Sequence, residues 1–248
     1  MASAKIAVIT GGASGIGRSI CTRLAHDGID VAVFDLDGPG GREIATELQA
    51  LGRRALALQV DVTNRARVEA AVEEVHQQLG PVQILVNDAG IGEFAPFLQM
   101  TEAQWDRMIA VHLKGTFNCT RAILPDMVAA GWGRIVNLSS VAGLNGGGPG
   151  LAHYAAAKAG ILGFTKAIAR ECGPQGITVN AIAPGLVDTP LLRKSAVPDE
   201  IIRHSRQTLP VRRIGTPDDI AAACAYLVSD AAGFVTGQVI SPNGGGYV

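Results

Sequence analysis

Residues 5–17 read KIAVITGGASGIG, a short apolar run followed directly by a turn that contains four glycines. The β-branched run Lys5–Thr10 predicts a buried parallel strand, and the residues after the turn predict a helix to about Gly28. Glycines permit a tight turn and a close approach of the backbone to a phosphate, and a helix that begins there offers free N–H groups. The stretch therefore predicts a phosphate-binding strand–turn–helix unit.

Strand and helix patterns alternate through the rest of the chain. The alternation predicts a parallel, doubly wound α/β sheet of the Rossmann type, with seven strands in the order 3-2-1-4-5-6-7 and helices on both faces. Without a linker or repeat, residues 1–248 are expected to form one domain. A long helical region is predicted from Glu102 to about Ala130, which Pro125 would bend or break. The later strands are predicted at Asp30–Asp35, Ala55–Val60, Val82–Val86, Gly133–Leu138, Ile177–Ile182 and Val239–Ser241.

Composition narrows the class of protein. The chain of 248 residues is 48% hydrophobic and 17% charged with a formal net charge of −1, which favours a large core and excludes disorder. The sequence contains no basic stripe, no metal-ligand spacing and no long apolar run, so we expect no nucleic acid, no metal and no membrane span. The four cysteines are widely spaced, which predicts reduced thiols in a cytoplasmic protein.

Several polar residues follow predicted strands and should meet at the edge of the sheet where ligands bind. Asp35 ends the second strand, where a carboxylate can accept both hydroxyls of an adenosine ribose and repel a 2′-phosphate. Leu36 follows it in place of a cation, so NAD is favoured over NADP. Asp61 could bond the adenine or cap the next helix. The positions at this edge are Thr10, Asp35, Asp61, Asn87, Ser140 and Pro184.

Residues 140–158, SVAGLNGGGPGLAHYAAAK, carry the candidate chemistry. Tyr154 and Lys158 are four residues apart, so a helix would bring both side chains to one face. A lysine ammonium near the phenol should lower the tyrosine pKa towards the working pH, and Ser140 could bond the same substrate oxygen. A Tyr-x-x-x-Lys pair is common by chance, so its meaning depends on its place at the sheet edge.

The combined pattern resembles the short-chain dehydrogenase/reductase family in its single-domain form, from about Lys5 to Gly245. The resemblance implies that Tyr154 is the general acid/base, that Lys158 lowers its pKa and bonds the nicotinamide ribose, and that Ser140 holds the substrate oxygen. The implied cofactor contacts are Gly11, Ser14, Gly15, Ile16, Gly17, Asp35, Leu36, Asp61, Val62, Asn87, Ala89, Gly90, Tyr154, Lys158, Pro184, Gly185, Val187 and Thr189.

Four features depart from the family pattern. His112 stands where the family usually has an asparagine that kinks a helix and holds a water in a proton relay, and it could serve that relay or be a packing substitution. Asp88 replaces a second asparagine, with a backbone bond and little effect on chemistry expected. Residues 242–245, PNGG, differ from the usual ending, and we expect this difference to alter subunit contacts rather than catalysis. Ser140 and Tyr154 are 14 residues apart instead of 13, so loop 144–151 is expected to set substrate specificity.

The sequence thus predicts hydride transfer between NAD(H) and a secondary alcohol or ketone. The alternatives are an NADPH-dependent 3-oxoacyl-thioester reductase and a cofactor-binding sensor or scaffold without catalysis. The substrate is expected to be a small molecule, either a neutral alcohol or an acyl thioester, in a pocket of residues 91–97, 141–153 and 186–204, with a lid at about 190–210. His153 could line the mouth of the same pocket, although an exposed histidine in the first turn of the helix is expected. The family implies a homotetramer that uses helices Trp105–Ala129 and Ala152–Glu171.

Overall fold

A computed structural model describes residues 4–194 and 199–248, so part of the predicted lid, residues 195–198, lies outside the described residues. One parallel sheet of seven strands has the order β3-β2-β1-β4-β5-β6-β7, as the sequence predicted. Successive strands are added towards one edge from β1 to β3 and towards the other edge from β4 to β7, so β1 and β4 flank the switch point at which such folds bind ligands. The strands are β1 (Ile6–Thr10), β2 (Asp30–Asp35), β3 (Ala55–Gln59), β4 (Ile84–Asn87), β5 (Gly133–Leu138), β6 (Ile177–Ile182) and β7 (Val239–Ile240).

Helices cover both faces of the sheet. They are α1 (Gly15–His26), α2 (Gly38–Ala50), α3 (Arg65–Gln78), α4 (Glu102–Ile109), α5 (Gly115–Ala130), α6 (Ala142–Asn145), α7 (Ala152–Cys172), α8 (Pro190–Lys194), α9 (Asp199–Thr208) and α10 (Pro217–Val228). The predicted region Glu102–Ala130 is divided by a π turn at Ala110–Lys114, whereas Pro125 lies inside α5 without ending it. The break therefore occurs at His112 and not at the proline.

The two faces of the sheet carry separate apolar cores. Side chains alternate along each strand, so Ile9 and Val33 pack towards α1 and α10, whereas Val8 and Phe34 pack towards α3 and α5. The central strands β1, β4, β5 and β6 are buried along their whole length. Because these strands are buried on both faces, their sequences are nearly continuous apolar runs.

The described residues contain no membrane-spanning helix, no metal-binding cluster and no disulfide. No helix within residues 4–194 and 199–248 is long and apolar enough to cross a membrane. Nor do these ranges hold a group of three or more His, Cys, Asp or Glu side chains that could bind a metal ion. Cys21, Cys119, Cys172 and Cys224 are all buried free thiols.

Candidate active site

The glycine turn connects β1 to α1 at the switch point. Gly11 has a φ of +71° and donates from its N–H to the carbonyl of Phe34 at 2.7 Å. A Cβ at Gly11 would lie 2.9 Å from the Ala89 Cα, and one at Gly17 would strike the backbone of Gly11. Gly15, Ile16 and Gly17 form the first turn of α1, and Ser14 precedes it with an exposed side chain that caps no N–H. The turn is thus a closely packed backbone cradle with no room for a Cβ at Gly11 or Gly17, which suits a bound phosphate.

Asp35 ends β2 beside this turn. Its carboxylate accepts hydrogen bonds from the Ala13 N–H at 2.9 Å and from the Asp37 N–H at 2.9 Å. The next residue, Leu36, is 62% exposed and uncharged, so no cation follows the Asp35 carboxylate in the sequence. Asp35 therefore presents negative charge at the outer end of the cradle.

Asp61 and Val62 follow β3. The exposed Asp61 carboxylate accepts from the N–H and the hydroxyl of Thr63, at 2.9 and 2.8 Å. Val62 is buried, and its carbonyl accepts from the Asn118 amide at 2.8 Å. Asp61 thus forms a turn with Thr63 and does not cap α3 as its alternative role required, because Asn64 is the residue whose side chain caps that helix.

The segment after β4 is fastened to the neighbouring strands. The Thr10 hydroxyl accepts from the N–H groups of Asp88 and Ala89, at 3.1 and 3.0 Å. The buried Asn87 amide donates to the Asn137 side chain at 2.8 Å. These bonds fix the backbone of residues 87–90 against the glycine turn.

Ser140, Tyr154 and Lys158 meet at the end of β5. The Ser139 hydroxyl donates to the Lys158 carbonyl at 2.8 Å, and the Lys158 ammonium donates to the Leu138 carbonyl at 2.6 Å. The lysine nitrogen is 5.7 Å from the centroid of the Tyr154 ring. Ser140 accepts from the Ala142 N–H at 3.1 Å and also interacts with the phenol. The helical spacing thus brings the predicted trio together.

The prediction that the Tyr154 pKa falls is wrong, because the structure raises it. Enclosure by protein atoms raises the pKa of the phenol, the hydrogen bond from Ser140 lowers it, and the Asp88 charge raises it. Burial also lowers the pKa of Lys158 to about 8, against the Asp88 carboxylate, which raises it. The sequence prediction considered only the attraction between the two groups and omitted the desolvation that acts on both.

His112 lies in the π turn, with its ring perpendicular to that of Tyr154 and the ring centroids 5.4 Å apart. Its Nε2 is 3.1 Å from the Ile91 nitrogen and 2.8 Å from the Ile91 oxygen, so the tautomer decides which bond forms. The Nδ1 is buried without a hydrogen-bond partner among the described residues. Burial, followed by the Lys158 charge, holds the pKa of His112 well below its usual range. His112 is therefore a neutral imidazole against the tyrosine.

His153 is fully buried, so the expectation of an exposed histidine is wrong. It lies in the first turn of α7, and neither ring nitrogen has a partner in the described ranges. Burial lowers its pKa, and the Glu93 charge partly opposes this shift. Sequence position in a first turn could not reveal the burial, because the contact of α7 with α4 is a tertiary one.

Segment 184–189 closes the edge on the side of β6. The Pro184 carbonyl accepts from the Val141 N–H at 3.0 Å, and the Gly185 N–H donates to the Pro242 carbonyl at 3.1 Å. Val187 pairs with Gly215 in an isolated bridge, and Thr189 lies against the glycine turn at Gly15. The structure thus brings the predicted residues of this segment to the same edge as the glycine turn and Ser140.

The loop between Ser140 and Tyr154 is tied to residues 94–95. The Ala95 N–H donates to the Gly150 carbonyl at 3.0 Å, and a Cβ at Gly150 would lie 2.5 Å from the Phe94 ring. Gly150 also has a φ of +79°, a second reason for glycine there. The loop and the half-exposed Phe94 therefore form one wall beside Tyr154.

A separate cavity of about 660 Å³ is lined mostly by residues of the predicted lid. Arg193 donates to the Asp188 carboxylate at 3.0 Å, whereas Arg203 and Arg206 form no ion pair with the described residues. The cavity therefore combines apolar walls with an excess of positive charge. Its lining residues are Asp188, Leu192, Arg193, Ile202, Arg203, Arg206 and Ile214.

The geometry defines a class of protein. The glycine turn, a carboxylate at its outer end and a Ser–Tyr–Lys group that includes the buried Lys158 share one sheet edge, as a dinucleotide-dependent oxidoreductase requires. The family profile described as "Enoyl-(Acyl carrier protein) reductase" matches residues 11–246. The chain belongs to the short-chain dehydrogenase/reductase family, whose members use a nicotinamide cofactor.

Three curated relatives are similar over nearly the whole chain. Nodulation protein G of Azospirillum brasilense is 43% identical over 245 residues, 98% of each chain. The (2S)-[(R)-hydroxy(phenyl)methyl]succinyl-CoA dehydrogenase subunit BbsD of Thauera aromatica is 43% identical over 241 residues, 97% of this chain and 96% of the relative. The 3-oxoacyl-[acyl-carrier-protein] reductase FabG of Staphylococcus aureus strain N315 is 41% identical over 252 residues, 100% of each chain.

Proposed function

We propose that this oxidoreductase transfers a hydride between NAD(H) and a secondary alcohol or its ketone, with Tyr154 as the general acid/base. The observation that carries the proposal is the meeting of Ser140, Tyr154 and Lys158 at the edge that holds the glycine turn. The bound nicotinamide supplies the hydride chemistry, and the chain supplies position and proton exchange. The cradle at Gly11, Gly15 and Gly17 would hold the pyrophosphate.

Three side chains divide the work on the substrate oxygen. The Tyr154 phenolate takes the hydroxyl proton in alcohol oxidation, and the phenol returns it in ketone reduction. Ser140 donates a hydrogen bond that keeps the oxygen near the phenol. The Lys158 ammonium stabilises the phenolate. Because the phenol pKa is raised in the structure, we expect alcohol oxidation to accelerate as the pH rises above neutrality.

Tyr154→Phe tests this assignment, because phenylalanine keeps the ring and removes the exchangeable proton. We expect kcat to fall by about 10²–10⁴-fold, while NADH affinity, measured by fluorescence, stays within about twofold. Phe234, a fully exposed residue, offers a control at which Phe234→Tyr should leave both quantities unchanged. Full turnover by Tyr154→Phe would refute the assignment, and no turnover of any alcohol by the wild type would favour a sensor or scaffold.

NAD preference is proposed from Asp35 and Leu36. The Asp35 carboxylate would accept both ribose hydroxyls of NAD, whereas a 2′-phosphate would meet its negative charge. Asp35→Asn keeps the acceptor oxygen and removes the charge, so we expect the ratio of NADPH to NADH dissociation constants to fall by about tenfold or more. An unchanged ratio would show that Asp35 does not select the cofactor.

His112 is proposed as part of the proton relay, because its ring lies against Tyr154 and its pKa is affected by Lys158. His112→Asn would supply the residue that the family usually has, and His112→Ala would remove the polar group. We expect Ala to slow turnover and shift the pH profile, and Asn to restore both. If the two variants had the wild-type profile, the role of His112 would be packing alone.

An acyl-thioester substrate is the second candidate, and the cavity with Arg203 and Arg206 is the observation that favours it. Two relatives are named for a CoA ester and for an acyl-carrier-protein ester. A phosphate-bearing thioester carrier would complement this positive charge. We expect Arg203→Gln with Arg206→Gln to reduce kcat/KM about tenfold for a 3-oxoacyl-CoA, but not for the matching N-acetylcysteamine ester, which has no phosphate. Equal losses for both esters would exclude charge recognition there.

Subunit contacts are proposed on the face formed by α3, α5 and α7. A groove there contains apolar side chains, of which Phe117 and Val128 are 43% and 46% exposed. Such a face suits a homotetramer, and sedimentation equilibrium of wild type and Phe117→Glu would test it.

The four free thiols also fit the reducing cytoplasm that the sequence predicts.

A further inference from the structure

Asp88 lies between the phosphate cradle and the catalytic lysine. It follows β4, whose last residue, Asn87, is in register with Thr10 of β1 and with Asn137 of β5. One residue further, Asp88 is flanked by Gly11 on one side and by Leu138 on the other. Neighbouring strands are about 4.8 Å apart, so the aspartate adjoins both the glycine turn and the carbonyl that binds Lys158.

Its hydrogen bonds fix this position. The Asp88 N–H donates to the Thr10 hydroxyl at 3.1 Å. The carboxylate lies at the first turn of α1, where the Gly17 N–H lowers its pKa and its Oδ2 would be 2.9 Å from a Cβ at Gly17. On the other side, Lys158 donates to the Leu138 carbonyl at 2.6 Å. A carboxylate thus lies beside one of the N–H groups that the cradle offers to a phosphate.

The charges around this pair are few. Asp88 faces Lys158 of α7, Asp35 at the end of β2, and the thiols of Cys21 in α1 and Cys224 in α10. Lys158 faces Asp88 on one side and the rings of Tyr154 and His112 on the other. Both rings are neutral, because burial raises the pKa of Tyr154 and lowers that of His112. Asp88 is the one acid that raises the lysine pKa among the described residues. The two groups form no direct ion pair in these ranges, so they interact through space across Leu138.

We propose that Asp88 is the counter-ion of Lys158 and that it links the charge of this lysine to occupation of the cradle by an anionic dinucleotide. The inference rests on the proposed function, because it assumes that the cradle binds pyrophosphate. Asp88 is a positioning residue that acts through Lys158. Where the family usually has a neutral amide, this chain has a group that can lose its charge.

The linkage has a definite sign. Burial raises the pKa of Asp88 to about 7, and Lys158 and the Gly17 N–H oppose this shift. Above that pH the carboxylate repels the pyrophosphate, so the dinucleotide binds best when Asp88 is protonated. Binding therefore takes up a proton near neutrality.

The first test measures NADH dissociation constants by fluorescence from pH 6 to pH 8.5, which needs no turnover. We expect the affinity of the wild type to fall about tenfold as the pH rises through 7, and that of Asp88→Asn to vary less than twofold. Asp126→Asn is the control, because Asp126 also accepts a backbone N–H, that of Val82 at 2.8 Å, away from the site. It should keep the wild-type slope. If Asp88→Asn does not fold, the same NADH titration is made with Asp88→Ser.

The second test is the pH profile of kcat with an alcohol that the wild type turns over. Without its counter-ion Lys158 loses its proton at lower pH, so the alkaline limb of Asp88→Asn should move down by about one pH unit. An identical NADH slope in wild type and Asp88→Asn, or an unmoved alkaline limb, overturns the inference. Failure of every variant, wild type included, to bind NADH would instead overturn the proposed function.

Discussion

Alanine at Gly17 would place a methyl group where the structure has no room. The added Cβ would strike the Gly11 carbonyl oxygen, lie 2.8 Å from the Gly11 carbonyl carbon and lie 2.9 Å from the Asp88 Oδ2. Two of these contacts are with backbone that β1 and the Phe34 carbonyl hold in place. The strain therefore cannot be relieved by turning a flexible side chain.

The magnitude follows from two opposing effects. Overpacking at a rigid site costs about 1–3 kcal/mol, and the backbone contacts put Gly17→Ala near the upper end of that range. Alanine in a helix gains about 1 kcal/mol over glycine, so the net loss in the free energy of unfolding should be about 2 kcal/mol. Displacement of the turn should also weaken NADH binding by about tenfold or more, since Gly11 and Gly17 move apart.

Urea unfolding and fluorescence titration with NADH measure the two effects. Gly163→Ala is the matched control, because Gly163 lies inside the helix α7 and has no atom within 4 Å of an added Cβ. We expect that control to be stabilised by about 0.4–1 kcal/mol, with unchanged NADH affinity. If Gly17→Ala matched the wild type in both stability and affinity, the close approach of Gly11 and Gly17 would not be required, and the cradle argument would be refuted.

Two further predictions concern buried side chains. His153 has a lowered pKa in the folded state, so its neutral form supports stability above the unfolded pKa, and that support is lost as the pH falls below about 6.5. His153→Leu should therefore flatten the acid side of a plot of urea midpoint against pH, and an equally steep loss would contradict this account. Phe34 is fully buried beneath α3, and Phe34→Ala should lower the free energy of unfolding by about 3–5 kcal/mol. A loss below about 1 kcal/mol in urea unfolding would show that the core collapses around the cavity.

Local patterns in the sequence predicted most of the architecture. The apolar runs of β1, β4, β5 and β6 are buried on both faces, so their residues carry the signal of a parallel sheet without help from the rest of the chain. The four-residue spacing of Tyr154 and Lys158 likewise fixes their common helical face. Strand order then follows from right-handed crossovers and the glycine turn.

Tertiary structure alone decided how charge and burial act at the site. Desolvation depends on atoms from distant segments, so the sequence predicted a lowered pKa for Tyr154 where enclosure raises it. The same holds for His153, which α7 buries against other helices, and for the position of the helix break at His112 instead of Pro125. Asp88 was visible as a departure from the family pattern. Only the register of β4 with β1 and β5 placed its carboxylate between the glycine turn and Lys158, because neighbouring strands bring together residues far apart in the chain.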